Sequence, residues 1–149
     1  MDSRLDFFAR FPEFDYHPDA PITKEFKRLA QQRKWQHRSK TWRKNWNLCM
    51  KADYQSHIGA QVSKIETWQR MCTKVGIAVF PSITKCKKAL SKVYVNIIDL
   101  LECWDTHRTP KRFDSIGELA NYSRSTDKVY PRDAAKVDPA LRVLLKRLL

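Results

Sequence analysis

The fold class expected from this sequence is all-α: a single compact bundle of about six to seven helices around a long central helix near 82–106. Three observations point that way. The 149 residues include only three glycines, Gly59, Gly76 and Gly117, whereas sheet proteins rich in tight turns need more. Apolar residues recur at helical spacing through most of the chain. Capping signals stand where the apolar periodicity starts and stops: Ser82, Ser115 and Asp138-Pro139 at starts, Gly76 at a stop.

Taken in order, Ser3 opens a short helix through Phe11, with Leu5, Phe8 and Phe11 on one side. Pro12, Pro18 and Pro21 then forbid a helix, and the aromatics among them suggest a loop that packs on the core. A second helix is expected over about Ile22 to Trp35, capped by Asp19 or Thr23, with Pro21 in its first turn. Its inner side is Ile22, Phe26, Leu29 and Ala30. A third begins near Ser39 and buries Trp42, Trp46, Cys49 and Met50. Gly59 either breaks it or lets it run on through Val62, Ile65, Trp68 and Cys72 to a left-handed cap at Gly76.

Ser82 caps the expected central helix, whose apolar face includes Ile83, Cys86, Leu90, Val93, Ile97, Leu100, Leu101 and Trp104. The β-branched run Val93–Ile98 also suits a strand, but the 3.6-residue period on both sides favours helix. Ser115 to Glu118 reads as a capping box opening a helix with Leu119 and Tyr122. Ser123 to Lys136 reads as irregular. The last helix starts at Asp138-Pro139, with Leu141, Leu144, Leu145 and Leu148 inward and Arg142, Lys146 and Arg147 outward. The organisation expected is one helical domain over 1–149, subdivided at 1–21, 22–58 and 60–149.

Composition bounds the function. Hydrophobic residues make up 42% and charged residues 30%, as in a folded domain with a heavily charged surface. The net charge of +13 is the main anomaly, because self-repulsion opposes compaction. It fits a nucleic acid, an anionic membrane face or an acidic protein as partner, and more blandly it aids solubility. Cys49, Cys72, Cys86 and Cys103 form no C-x-x-C pair, and three of them fall on apolar helix positions. Met1 to Arg10 carries Asp2 and Asp6 and no apolar run, unlike a secretion signal, and no transmembrane stretch is evident. An intracellular, reducing setting is expected, nucleus or cytoplasm.

The most informative stretch is Lys24 to Lys51. It holds Lys24, Lys27, Arg28, Arg33, Lys34, Arg38, Lys40, Arg43, Lys44 and Lys51 against the single acid Glu25, a net of +9. Lys40, Lys44, Asn47 and Lys51 repeat along one face of the third helix. Trp35, Trp42 and Trp46 are interleaved. Trp42 and Trp46 have core spacing, while Trp35 suits either packing or stacking on an unpaired base. Lys85, Lys88 and Lys92 extend the cationic surface along the central helix in this reading. A solvated helix face is the plain alternative, but such faces usually mix both signs. Phosphates suit a one-sign surface because each one neutralised releases a counterion.

No zinc-finger spacing, aromatic RNP motif or heptad zipper is present, so sequence-specific reading is unsupported. No phosphate loop, nucleophile elbow or H-E-x-x-H occurs, and neither catalytic nor metal-binding residues are expected. Cys103 and His107 stand four apart, but two ligands do not make a site. Asp99 and Glu102 suit pairing with basic neighbours better than acid–base work. No cofactor is implied.

One resemblance covers most of the chain. Phe11-Pro12-Glu13-Phe14-Asp15-Tyr16-His17-Pro18-Asp19-Ala20-Pro21, then Glu25-Phe26-Lys27-Arg28-Leu29-Ala30 and Trp35, together with Trp68-Gln69, Val95-Asn96-Ile97, Phe113, Leu119 and Tyr122, resemble a group of small uncharacterised proteins of filamentous fungi. That group brings no activity to any residue; it implies an intracellular eukaryotic setting. The function expected is a non-enzymatic module that binds nucleic acid, DNA or RNA, through phosphate contacts. The alternative is an adaptor whose basic face docks an acidic protein.

Overall fold

A computed structural model describes residues 3–135 and 138–145. Expectations for Lys136, Lys146, Arg147 and Leu148 lie outside the described residues. The fold is all-α, with one two-stranded ribbon among the described residues. The chain packs as two compact units, Met1–Ser56 and His57–Leu149.

The first unit contains α1 (Ser3–Ala9), α2 (Ile22–Arg33) and α3 (Lys40–His57), whose final residue falls in the second unit. Its core is aromatic. Phe26 is fully buried and meets Trp42 and Trp46 edge-on, with ring centroids 5.3 and 5.2 Å away. Trp42 and Trp46, four residues apart, stack at 5.2 Å with 9° between planes. Each such pair adds about 0.5–1.5 kcal/mol beyond the area it buries. Phe7, Phe8, Phe11 and Phe14 pack around one another, as the proline-rich loop predicts.

The start of α2 differs from expectation. Pro21 occupies the N-cap position and no side chain caps the helix. Thr23 is buried inside the helix and Asp19 lies exposed in the loop, so neither serves. Glu25 does the tethering instead: its buried carboxylate accepts the His17 N–H at 2.6 Å and pairs with Arg28 at 2.8 Å. At the other end α2 stops at Arg33, short of Trp35. Lys34 takes the left-handed conformation (φ 59°, ψ 36°), and the Lys34 and Trp35 N–H groups return to the Gln31 and Ala30 carbonyls. That is the Schellman pattern with lysine where glycine is usual. Arg38 is also left-handed (φ 63°), in a turn closed by the Ser39 N–H on the Gln36 carbonyl. The Ser39 hydroxyl then caps α3 by accepting the Trp42 N–H at 3.2 Å.

In the second unit, a 3-10 turn (Gly59–Gln61) leads into α4 (Ile65–Val75), so the third helix breaks rather than running on. Gly76 ends α4 at φ 78°, as predicted. The expected helix over 82–106 is not continuous. It divides into α5 (Ile83–Leu90), β1 (Tyr94–Val95) and α6 (Ile97–Cys103). Asn96 explains the break. Its Oδ1 caps α6 by accepting the Asp99 N–H at 3.1 Å, while its Nδ2 donates to Ser123 Oγ and the Lys128 carbonyl, each at 2.9 Å. A buried Asn with four bonding sites is satisfied at a cap and not in mid-helix.

Strand β1 pairs antiparallel with β2 (Arg112–Phe113), with Tyr94 opposite Phe113. Ser82 and Ser115 cap α5 and α7 (Ile116–Ser125) as predicted, each accepting a backbone N–H. The span expected to be irregular carries the end of α7 and a short α8 (Arg132–Ala135). Asp138 caps α9 (Pro139–Leu145), accepting the Ala140 N–H at 2.9 Å. All four cysteines are buried and free. No described helix is long and apolar enough to cross a membrane.

Candidate nucleic-acid interface

The α2–loop–α3 segment presents its cations outward. Lys24, Lys27, Arg28, Arg33, Lys34, Arg38, Lys40, Arg43, Lys44 and Lys51 are all exposed. The pattern follows from helix geometry. On α3, Lys40, Arg43, Lys44 and Lys51 fall within an arc of about 100°, with Asn47 inside it, while Trp42, Trp46, Cys49 and Met50 occupy the buried side. Lys24, Lys27, Lys34, Lys40, Arg43, Lys44 and Lys51 pair with no carboxylate among the described residues.

Three members of the predicted set are otherwise engaged. Arg28 is neutralised by Glu25 and its guanidinium lies 4.9 Å from the Phe14 ring centroid. Arg33, although exposed, has its guanidinium 5.4 Å from the Phe11 ring centroid. Trp35 is half-buried, with its ring centroid 5.6 Å from that of Phe11 and 6.1 Å from that of Phe26, so it packs in the aromatic cluster. Trp42 and Trp46 are core, as their spacing predicts. Lys85, Lys88 and Lys92 are exposed but belong to the second unit, the first two on α5 and Lys92 in the turn beyond it. They do not continue along one helix, because α5 stops at Leu90.

Arg10 lies outside the cationic run expected from the sequence, which starts at Lys24. Arg10 is exposed, and its guanidinium sits 5.7 Å from the Phe11 ring centroid, as Arg33 does at 5.4 Å. Asn47 is exposed within the α3 arc, where the helical period had already placed it, as a neutral donor beside Lys44 and Lys51.

Other basic side chains of the second unit have structural partners. The Lys74 ammonium donates to the carbonyls of Cys103, Thr106 and Arg108, closing the C-terminal end of α6. Arg70 donates to the Trp104 carbonyl and to Asp105 at 2.8 Å, with its guanidinium 4.3 Å from the Trp104 ring centroid.

Asp99 accepts Tyr122 Oη at 2.5 Å and Lys128 Nζ at 2.7 Å, and Glu102 stands 3.4 Å from the same ammonium. Burial and the Asp99 hydrogen bond push the Tyr122 hydroxyl up to about 12. Burial alone pulls the Lys128 ammonium down, but the Asp99 hydrogen bond and the surrounding negative charge leave it raised. Both partners thus stay in their paired forms through neutral pH, as expected of Asp99 and Glu102 in structural pairing. Burial raises the Cys49, Cys72 and Cys103 thiols, Cys72 to about 12. Such thiols are poor nucleophiles at neutral pH. Cys103 ends α6, and His107 lies exposed in the loop beyond, so the two do not share a helix face. Among the described residues no group of three potential metal ligands occurs.

Comparison of the chain with protein-family models, curated proteins and solved structures returned no match.

Proposed function

We propose that the first unit is a nucleic-acid-binding module that acts through phosphate contacts, without catalysis of its own. The observation that carries this is the α3 arc: Lys40, Arg43, Lys44 and Lys51 exposed together, with no carboxylate paired to them among the described residues. Charge segregation within the unit supports it. The exposed acids Asp6, Glu13, Asp15 and Asp19 all precede Lys24, and from Phe26 to Ala52 there is no acid. Self-repulsion along such a surface is relieved when phosphates replace its counterions.

If the four α3 cations and Lys34 each meet one phosphate, log K falls against log salt with a slope of about −4.5 on duplex DNA. A gel-shift titration at two salt concentrations tests this, with a Lys40→Glu/Lys44→Glu variant as control. Affinity that ignores salt, or a variant that binds as well as the parent, rules the reading out.

The acidic-protein alternative needs an apolar anchor to fill a partner's pocket. Among the described residues, the exposed large apolar side chains of the unit are Leu5 on α1, 49% exposed, and Leu48 on α3, 36% exposed, while Trp42 and Trp46 are buried. Two exposed leucines without an exposed aromatic anchor favour phosphate contact over a protein dock.

A further inference from the structure

We propose that the polyanion held by α3 and the loop before it is double-stranded, an inference that rests on the phosphate-binding reading of the same residues. Single strands gain much of their affinity for such surfaces by stacking bases on open aromatic faces, about 1–3 kcal/mol per base. The first unit keeps its aromatics for itself. Trp35 lies against Phe11 and Phe26, Trp42 and Trp46 stack on each other, and Tyr16 stacks on Phe8 at 4.0 Å. His37, exposed in the loop, is packed edge-on against Trp42 at 5.0 Å. Among the described residues of this unit no Phe, Tyr or Trp is exposed. Freeing Trp35 to stack would forfeit both its aromatic neighbours, so the exchange returns little. A single strand is left with electrostatics alone.

Electrostatics favours the duplex. From Lys40 to Lys51 the helix rises about 16 Å. Over that length a duplex presents one charge per about 1.7 Å of axis, about twice the density of either strand alone, on a scaffold that is already ordered. The side chains also suit backbone contact over base reading. Arg43 is the one arginine of the α3 arc; Lys40, Lys44 and Lys51 are compact point charges without the planar fork that reads guanine bidentately. The arrangement therefore fits a duplex gripped without sequence preference.

The test is fluorescence anisotropy with the full chain at low salt. It compares a labelled mixed-sequence duplex, its two separated strands and oligothymidylate of equal length, while tryptophan emission is followed in parallel. The duplex is expected to bind about tenfold tighter or more, with the steeper slope of duplex contacts, about −0.9 rather than −0.7 per phosphate. Tryptophan emission should stay unquenched with every single strand. Equal or tighter binding of oligothymidylate, accompanied by quenching, overturns the duplex preference and leaves the phosphate reading standing. Absence of binding to all probes removes both.

Discussion

Replacing Lys34 with glycine should make the first unit more stable and, at the same time, a weaker polyanion binder. Lys34 occupies the left-handed position that closes α2, at φ 59° and ψ 36°, with its N–H held 3.2 Å from the Gln31 carbonyl. A side chain there costs about 1 kcal/mol relative to glycine, which adopts this conformation freely. Part of the gain is returned because glycine also loosens the unfolded chain. The net is about 0.5–1 kcal/mol, worth a few degrees in Tm for a unit of this size. Lys34 is also an exposed cation without a paired carboxylate among the described residues, so its loss should reduce the salt slope by about 0.9. Lys34→Ala is the companion: it removes the same charge and keeps the strain, so it should lose the slope without the added stability. Urea unfolding followed by tryptophan emission reads the first effect, and anisotropy across a salt series reads the second. A Lys34→Gly variant that is clearly less stable, or that keeps the parental slope, would refute the reasoning.

Other outcomes follow from the same structure. Phe26→Ala should cost about 3–5 kcal/mol by opening a cavity beside the Trp42–Trp46 stack, and near-ultraviolet dichroism should lose the signal of that stacked pair. Asn96→Ala should destabilise the second unit by more than the roughly 1 kcal/mol of a simple cap, because Ser123 and the Lys128 carbonyl lose a partner as well. Alkali should weaken the second unit. Tyr122 ordinarily titrates near 10 and is held up to about 12 in the fold, so the native state keeps a proton that the unfolded chain releases. Stability is then complete below about pH 10 and falls as pH rises toward 12. Lys128, also raised, acts in the same direction. An Asp99→Asn variant should flatten that decline in a pH series of denaturant midpoints.

Much of the fold is legible in the sequence because its signals are local. Ser82, Ser115, Asp138 and Gly76 act on backbone within a few residues, and Trp42, Trp46, Cys49 and Met50 follow a period that only one burial direction satisfies. The split between α5 and α6 is less legible. Val93–Ile98 is apolar under both the helical and the strand period, and what decides it is Asn96 reaching Ser123 and Lys128, contacts distant in sequence. The candidate surface divides the same way. That the α3 lysines face solvent follows from helical spacing. That Glu25 neutralises Arg28 is implicit in their three-residue separation. That Trp35 and Arg33 are drawn onto Phe11 depends on how the proline-rich loop folds back, which no local pattern encodes.

The location of the contact is most directly measured by reductive methylation of lysines with and without excess duplex, read site by site by mass spectrometry. Lys34, Lys40, Lys44 and Lys51 should lose reactivity on complex formation, while Lys74 and Lys128, already engaged within the second unit, should not change. Protection that spares α3, or that spreads evenly over every exposed lysine, would contradict the assignment of this surface.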